Sequence, residues 1–347
     1  MRLNRAVRPF SLLAVAVLAV APGVTAYAAD GPYAVVDKWV IGGQGGWDYL
    51  LADPSQHVVY LTHATRVEVV DTTTGKAVGA ITDLKGTHGI ALDPEGKFGY
   101  ISDGGANEVV VFDRKTYAKV GSVATGTNPD GITYEPVTKT VWAFNGKSSD
   151  ASVIDTAARK VVATIKLSGK PEFPQADGKG TVFVNIETKN SIARLDAKTW
   201  KVTAEWPLAG CESPSGLAMD TAGRRLFSVC DGKKMAVTSA DSGKQLKLVE
   251  IGDGPDAAGY DAKNQVAFSS NGDGTLTVVD AKGSDYKVIQ NVVTPKRART
   301  MSFDAGTGRV YLLAAEYGPA SAATAATPRP RPTVVPGSYS VIVVGKK

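Results

Sequence analysis

The sequence of 347 residues has few of the side chains on which many catalytic and redox centres depend. It contains two cysteines and three histidines, and it lacks the C-x-x-C-H motif of haem attachment, so an electron carrier is not expected. The G-x-S-x-G motif of serine hydrolases and the glycine-rich motifs of nucleotide-binding βα units are also absent. Two cysteines cannot supply the four ligands of a structural zinc site. These absences leave the chain without a familiar catalytic motif.

Long apolar runs are missing everywhere except at the N-terminus. There, Arg2, Arg5 and Arg8 precede the apolar residues 10–21, and Ala26-Tyr27-Ala28 forms a small-x-small cleavage pattern. Residues 1–28 are therefore predicted to be a signal peptide cleaved near Ala28. The apolar run is shorter than the ~20 residues that span a bilayer, which argues against a membrane anchor. We expect a soluble protein of residues 29–347 that is periplasmic or secreted.

A large excess of charge of either sign is also lacking. The three arginines of the signal segment account for part of the formal net charge of +5, and residues 29–347 carry only +2. Global charge therefore gives no reason to expect a strongly polyanionic partner, and nucleic-acid binding is not favoured.

What the sequence does contain is a repeat. Its third β-branched run ends in an acidic residue at Asp71, Asp113 and Asp155, which are 42 residues apart. These carboxylates are expected to accept backbone N–H bonds in tight turns. A second column of acidic residues marks the turn after each first strand, at Asp53, Asp93, Glu135, Asp177, Asp220, Asp261 and Asp304. A fixed period of ~40–45 residues built from four short strands is typical of a β-propeller blade, so seven acidic residues predict seven blades.

The two ends of the chain are incomplete in complementary ways. Residues 33–41 read as a fourth strand without three strands before it, and residues 338–344 read as a third strand without a fourth after it. Their pairing would close the seventh blade and remove the open sheet edges. The predicted fold is therefore all-β, a seven-bladed β-propeller of four-stranded antiparallel blades whose last blade is closed by the N- and C-terminal strands. One domain covers residues 29–347.

The segment 315–337 interrupts the repeat. It contains a run of small residues followed by alternating proline and arginine at residues 328–332. Proline removes backbone donors and favours polyproline II, so a Pro/Ala-rich loop inserted in blade seven is predicted, and not a strand. The insertion is either disordered or a lid or partner-binding arm.

Several recurring segments carry a family resemblance: Tyr100-Ile101-Ser102-Asp103, Ser152-Val153-Ile154-Asp155-Thr156 and residues 160–165. The repeat resembles the YVTN family of β-propellers, and residues 29–347 resemble YncE-like periplasmic proteins. Blade four departs from the pattern at Phe173-Pro174-Gln175. Because the shared motifs are structural, the resemblance implies the fold and says little about activity.

Candidate functional residues occupy one equivalent position on each innermost strand, five residues before each acid of the second column. We call them the mouth ring: Asp48, His88, Asp130, Glu172, Ser215, Asp256 and Arg299. The neighbouring loops add His63, Asp103, Asn145, Asn185, Asp231 and Asn271. Carboxylates and a histidine on converging loops can hold a divalent cation or a cationic ligand, with Asp48, Asp130 and Asp256 as candidate metal ligands. The alternative is that these residues are solvated and form Asx turns.

Three functions follow as hypotheses. The first is an exported binding module, expected to be a monomer, whose acidic mouth takes a cation, a small-molecule ligand or an envelope protein. The second is a hydrolase, by analogy with lactonases of similar fold, either with or without a divalent cation as its cofactor. His88 would then be the general base, and Arg299 would stabilise an oxyanion. The third is single-stranded DNA binding, which the YncE-like resemblance implies and for which five basic residues are candidates: Lys296, Arg297, Arg299, Arg329 and Arg331.

The two cysteines are predicted to form a disulfide. Cys211 precedes the first strand of blade five, and Cys230 ends its second strand, so both lie on the same rim of the propeller. Adjacent strand ends are ~4.8 Å apart, within the range that a disulfide bridges. Export to an oxidising compartment would favour the bond.

Overall fold

The computed structural model describes residues 31–320 and 332–347, and these residues form β-strands joined by tight turns. In chain order, strands β1 to β13 are Tyr33–Val40, Trp47–Asp53, Val58–His63, Arg66–Asp71, Ala77–Ile81, Thr87–Leu92, Phe98–Asp103, Glu108–Asp113, Lys119–Ala124, Pro129–Glu135, Thr140–Asn145, Asp150–Asp155 and Lys160–Lys166. Strands β14 to β30 are Pro171–Ala176, Thr181–Ile186, Ser191–Asp196, Lys201–Pro207, Leu217–Asp220, Arg225–Cys230, Lys234–Ser239, Gln245–Glu250, Pro255–Asp261, Val266–Asn271, Thr275–Asp280, Val288–Val293, Met301–Asp304, Arg309–Ala314, Tyr317–Ala320, Pro332–Val334 and Ser340–Lys346. One 3₁₀ turn, Glu187–Lys189, follows β15.

Seven four-stranded antiparallel sheets form the blades of a propeller, as predicted. Blades one to six are β2–β5, β6–β9, β10–β13, β14–β17, β18–β21 and β22–β25, each with its strands in sequence order. The first strand of each blade lies innermost, beside the first strand of the next blade. Every inner strand therefore begins at the same rim, which brings the mouth ring together around the axis.

Blade seven is closed from both ends of the chain, and this prediction is confirmed. Its strand order is β26, β27, β30 and β1, with Leu312 paired to Ile342 and Ile342 paired to Lys38. Trp39 of β1 packs on Tyr311 of β27, with ring centroids 5.4 Å apart. The closure pairs β1 with the edge that β30 would otherwise expose, so blade seven has four strands like the other six blades.

The hydrophobic core lies between the blades. Tyr100 of blade two and Val141 of blade three belong to one buried cluster, and Tyr60 of blade one packs on Phe112 of blade two with centroids 5.5 Å apart. Trp142 is fully buried. Each such side chain contributes about 1.5–3 kcal/mol through burial, so stability comes from contacts between neighbouring blades.

The acidic columns have structural roles. Asp71 Oδ1 accepts N–H bonds from Thr73 at 3.0 Å and Thr74 at 2.7 Å, and these bonds lower its pKa. Asp53 of the second column is buried and forms an ion pair with Arg114 of blade two. The first column therefore organises turns, as expected, and at least one member of the second column ties neighbouring blades together.

The insertion in blade seven differs from the prediction of a loop without strands. Tyr317 pairs with Val334, and Ala320 pairs with Pro332, so β28 and β29 form a two-stranded ribbon. Pairing satisfies backbone groups at both ends of the insertion, and a proline is tolerated because each strand is an edge. Arg329 and Arg331 lie outside the described residues, as does the predicted signal peptide.

The predicted disulfide is present between Cys211 and Cys230, whose Cα atoms are 5.3 Å apart. The bond joins the loop before β18 to the end of β19, next to a β-bridge between Glu212 and Asp231. No helix among the described residues is long and apolar enough to cross a membrane.

Candidate functional site

The mouth ring converges on one rim of the central channel. Six of its seven members line a single cavity of about 280 Å³ and lie within or just before the innermost strands: Asp48, Asp130, Glu172, Ser215, Asp256 and Arg299. The seventh member, His88, contacts the ring through Asp48. The sequence period therefore predicts which side chains lie together, because equivalent positions of a propeller point to the same end of the axis.

Asp48, His88 and Asp130 form the tightest group in the ring. His88 Nδ1 lies 2.6 Å from Asp48 Oδ2 and 3.7 Å from Asp130 Oδ1. One ligand atom from each residue lies within 4.8 Å of the others, as the ligands of a single metal ion would. Burial disfavours the charged imidazole, but the hydrogen bond to Asp48 and the charge of Asp130 outweigh it and raise the pKa of His88.

The other two carboxylates of the ring, Glu172 and Asp256, pair with basic side chains. Lys170 Nζ lies 2.5 Å from Glu172 Oε1 and 2.7 Å from Glu187 Oε2. Arg299 Nε lies 3.4 Å from Asp256 Oδ2. Asp256, a predicted metal ligand, is thus directed to blade seven and is not part of the group around His88.

Three of the ring carboxyls, those of Asp130, Glu172 and Asp256, have a raised pKa and therefore hold their protons more strongly than ordinary carboxyls do. Burial, reinforced by the charge of Asp48, raises the pKa of Asp130, and burial with the charge of Asp130 raises that of Glu172. For Asp256, burial outweighs the opposing charge of Arg299 and raises the pKa to about 7. The mouth therefore carries more acid groups than it can keep fully ionised near neutral pH, which favours a cationic occupant.

Two aromatic residues close the floor of the mouth. The residue after each ring position is small in five blades, and these residues are Gly89, Gly131, Gly216, Ala257 and Thr300. In blades one and four it is Tyr49 and Phe173, whose ring centroids lie 4.3 Å apart. Both rings line the mouth cavity and also a cavity of about 260 Å³ deeper in the channel. The aromatic pair therefore separates the mouth from the channel.

Neighbouring inner strands approach so closely that the other blades need small residues at this position. A Cβ atom on Gly131 would lie 2.4 Å from the carbonyl oxygen of Glu172. Sequence reasoning noted the departure at Phe173 but missed its role. The signal was present, since Tyr49 breaks the same column of small residues.

The hydroxyl of Tyr49 has no hydrogen-bond partner among the described residues, although it is buried. Burial raises the pKa of Tyr49 well above its usual value, and the charges of Asp130, Glu172, Asp48 and Asp256 add to this effect. A buried O–H group without an acceptor costs free energy, so this donor favours a ligand or water at the floor of the mouth.

Most of the candidate loop residues are structural. Asp103 accepts N–H bonds from Lys85 and Gly86, at 2.8 Å each. Four others are buried and hold neighbouring loops and strands by hydrogen bonds or ring stacking: His63, Asn145, Asn185 and Asn271. Asp231 is exposed and is the one member of this set that lines the mouth cavity.

Comparisons with known proteins identify the fold. No protein-family model matches the chain, and no curated protein matches it either. Among solved structures, Kuenenia stuttgartiensis hydrazine synthase is 17% identical, with a TM-score of 0.68, and the match covers 76% of this chain and 91% of that chain. U3-55K is 10% identical with a TM-score of 0.74, and the match covers 90% of this chain and 99% of that chain. The WD40 repeats of RRP9 give the same values.

At these identities the likeness concerns the fold. The chain belongs to the class of seven-bladed β-propellers, which includes WD40 proteins. This architecture is consistent with an interaction module, and the chemistry of any ligand must be argued from the mouth itself.

Proposed function

We propose that the protein is an exported β-propeller binding module that holds a divalent cation at its mouth through Asp48, His88 and Asp130. The observation that carries the proposal is the convergence of these three side chains from three blades, with candidate ligand atoms within 4.8 Å of one another. The raised pKa values of the surrounding carboxyls support it, because a bound cation would offset the buried negative charge.

The donor set limits the choice of cation. One imidazole and two carboxylates suit Zn²⁺, Mn²⁺ and related transition metals better than Ca²⁺, which prefers six to eight oxygen ligands. With bonds of about 2.0–2.2 Å, the ligands of one such ion lie ~3 Å apart. The separations of 2.6 and 3.7 Å around His88 Nδ1 lie on either side of that value, so small side-chain movements would suffice.

Isothermal titration of the apo protein with Zn²⁺, Mn²⁺ and Ca²⁺ tests the proposal. We expect one site for Zn²⁺ or Mn²⁺, lost or weakened at least about tenfold in Asp130→Asn. Asp285→Asn is a matched control, because Asp285 is an exposed carboxylate in the loop between β24 and β25. Equal affinities in the parent protein and Asp130→Asn would contradict the site.

Hydrolysis is the second candidate function, and the hydrogen bond between His88 and Asp48 favours it. A carboxylate on Nδ1 fixes the ring and leaves Nε2 as the atom that could remove a proton from water. A panel of lactones and phosphoesters, with and without Zn²⁺, would detect such activity. Unchanged turnover in His88→Ala would remove His88 as the base.

We also propose that the protein is exported and that it is related to the YVTN and YncE-like propellers. The disulfide supports an oxidising compartment, and the predicted signal peptide supports cleavage near Ala28. The repeat motifs support a relationship to YVTN and YncE-like propellers. Protein recovered from outside the cytoplasm should have the intact mass of a chain that begins at Ala29. Retention of residues 1–28 would contradict export by this signal.

Single-stranded DNA binding is not proposed, because Arg299 pairs with Asp256 and the mouth is acidic.

A further inference from the structure

A second cavity lies beside the mouth, between the inner strands and the ribbon of β28 and β29. Its volume is about 570 Å³, within the range of ~300–1,000 Å³ that is usual for small-molecule sites. Six of its lining residues carry the chemistry considered below: Trp47, Asp48, Asp256, Arg297, Arg299 and Tyr317. This cavity shares Asp48 with the cation site proposed above, but His88 and Asp130 do not line it, and Trp47, Arg297 and Tyr317 are not part of the cation site.

The cavity is basic on the side of blade seven and the ribbon. The Arg297 guanidinium carbon lies 4.7 Å from the ring centroid of Tyr317, so the ribbon supports this side chain from one side. Arg299 is 58% exposed at its side chain, and its Nε faces Asp256 at 3.4 Å. Among the described residues, no carboxylate forms an ion pair with Arg297. Two guanidinium groups that line one cavity favour a carboxylate, which a guanidinium can bind bidentately.

The cavity is acidic on the side of the axis, where Asp48 and Asp256 contribute their carboxylates. A ligand with only negative charge would be repelled by these groups, and a ligand with only positive charge would be repelled by Arg297. The charge distribution is therefore complementary to a molecule that carries both charges at its two ends.

Aromatic rings complete the lining. Trp47 packs on Tyr339 with centroids 5.1 Å apart, which fixes the indole against the blade. Tyr317 contributes a second ring from the ribbon. Rigid aromatic surfaces of this kind bind planar groups by stacking and exclude water from the charged contacts.

We propose that this cavity binds a zwitterionic organic ligand with an aromatic ring, of the class of aromatic amino acids and short peptides that contain one. Its carboxylate binds Arg297 and Arg299, its ammonium group faces Asp48 and Asp256, and its ring packs against Trp47 and Tyr317. Binding of this zwitterion is a function in addition to cation binding, and it does not require a metal ion at His88.

Three related probes test the charge requirement by isothermal titration of the full chain. L-tryptophan has both charges, tryptamine lacks the carboxylate and N-acetyltryptophan lacks the ammonium group. We expect L-tryptophan or the dipeptide Gly-Trp to bind with Kd below about 1 mM, and each single-charge analogue to bind about tenfold or more weakly. The preference between the free amino acid and the dipeptide distinguishes the two sources of the ligand. Failure of both to bind, or equal binding of all probes, would overturn the proposal.

Variants then locate the site. Arg297→Gln should weaken binding of the zwitterion about tenfold or more, whereas Arg194→Gln should not, because Arg194 contacts Thr203 on the outer strands of blade four. Asp130→Asn should weaken cation binding at least about tenfold and leave the zwitterion affinity unchanged, because Asp130 does not line this cavity. Loss of zwitterion binding in Asp130→Asn, or its retention in Arg297→Gln, would overturn the assignment to this cavity. If no cation binds but the zwitterion binds and Arg297→Gln weakens it, the cation proposal is wrong and the assignment of the zwitterion to this cavity is supported.

Discussion

Replacement of Asp256 by asparagine should stabilise the protein more at alkaline than at acidic pH. Asp256 is a partly buried member of the mouth ring, and its pKa is raised to about 7, mainly by desolvation. Asparagine has nearly the same shape and can still accept a hydrogen bond from Arg299, but it does not ionise. The Asp256→Asn variant therefore isolates the cost of placing this charge in the mouth.

The sign and size follow from proton linkage. In the folded protein the carboxyl keeps its proton up to about pH 7, whereas in the unfolded chain it ionises near its ordinary pKa of about 3.9. Stability is therefore highest below pH ~4 and is lost as the pH rises towards pH ~7. At about 1.4 kcal/mol per pKa unit, the loss between about pH 5 and about pH 8 is about 2–3 kcal/mol.

Urea unfolding of metal-free protein at about pH 5 and about pH 8 measures this difference. The free energy of unfolding of Asp256→Asn, relative to that of the parent, should be about 2–3 kcal/mol higher at the higher pH than at the lower pH. For a chain of this size, the corresponding difference in thermal midpoint is ~4 °C. Asp285→Asn removes an exposed carboxylate and should leave the pH dependence as in the parent. An equal advantage at both pH values would refute the reasoning.

Three further predictions concern the scaffold. Arg114→Met should cost about 3–5 kcal/mol in urea unfolding, because Asp53 would be left buried without its partner, and a cost below about 1 kcal/mol would contradict a structural ion pair. Cys211→Ser should lower the free energy of unfolding by about 3 kcal/mol, since the bridge closes a loop over a sequence separation of 19 residues, and reduction of the parent should match it. Gly131→Ala should destabilise the inner strands by steric overlap, whereas Gly283→Ala, with no atom within 4 Å of the added carbon, should not; equal stability of the two variants would contradict close approach.

The fold was predictable because its information is periodic. Residues such as Asp71, Asp113 and Asp155 recur at a fixed spacing, and four short strands per period define a blade. The same periodicity placed Asp48 and Arg299 at one rim, since equivalent positions of a closed propeller point the same way. Burial of Asn145 and Asn185 was not predictable, because it depends on how the loops of adjacent blades fold over each other.

The pairings within the mouth could not be read from the period. The period identifies seven equivalent positions but does not say which of their side chains contact each other. The directions of the side chains determine that His88 pairs with Asp48 and that Arg299 pairs with Asp256. The strand pairing of Tyr317 with Val334 was missed because it joins the two ends of a non-repeating insertion. The role of Tyr49 was not predictable from charge, because it depends on the column of small residues that follows the ring positions.

The central claim is that Asp48, His88 and Asp130 together hold a divalent cation. Crystals grown from metal-free protein and soaked with Mn²⁺ test it by anomalous diffraction at the manganese edge. A peak bonded to all three side chains at about 2.0–2.3 Å is the predicted result. Manganese sites elsewhere on the protein, with the mouth free of anomalous density, would contradict the claim.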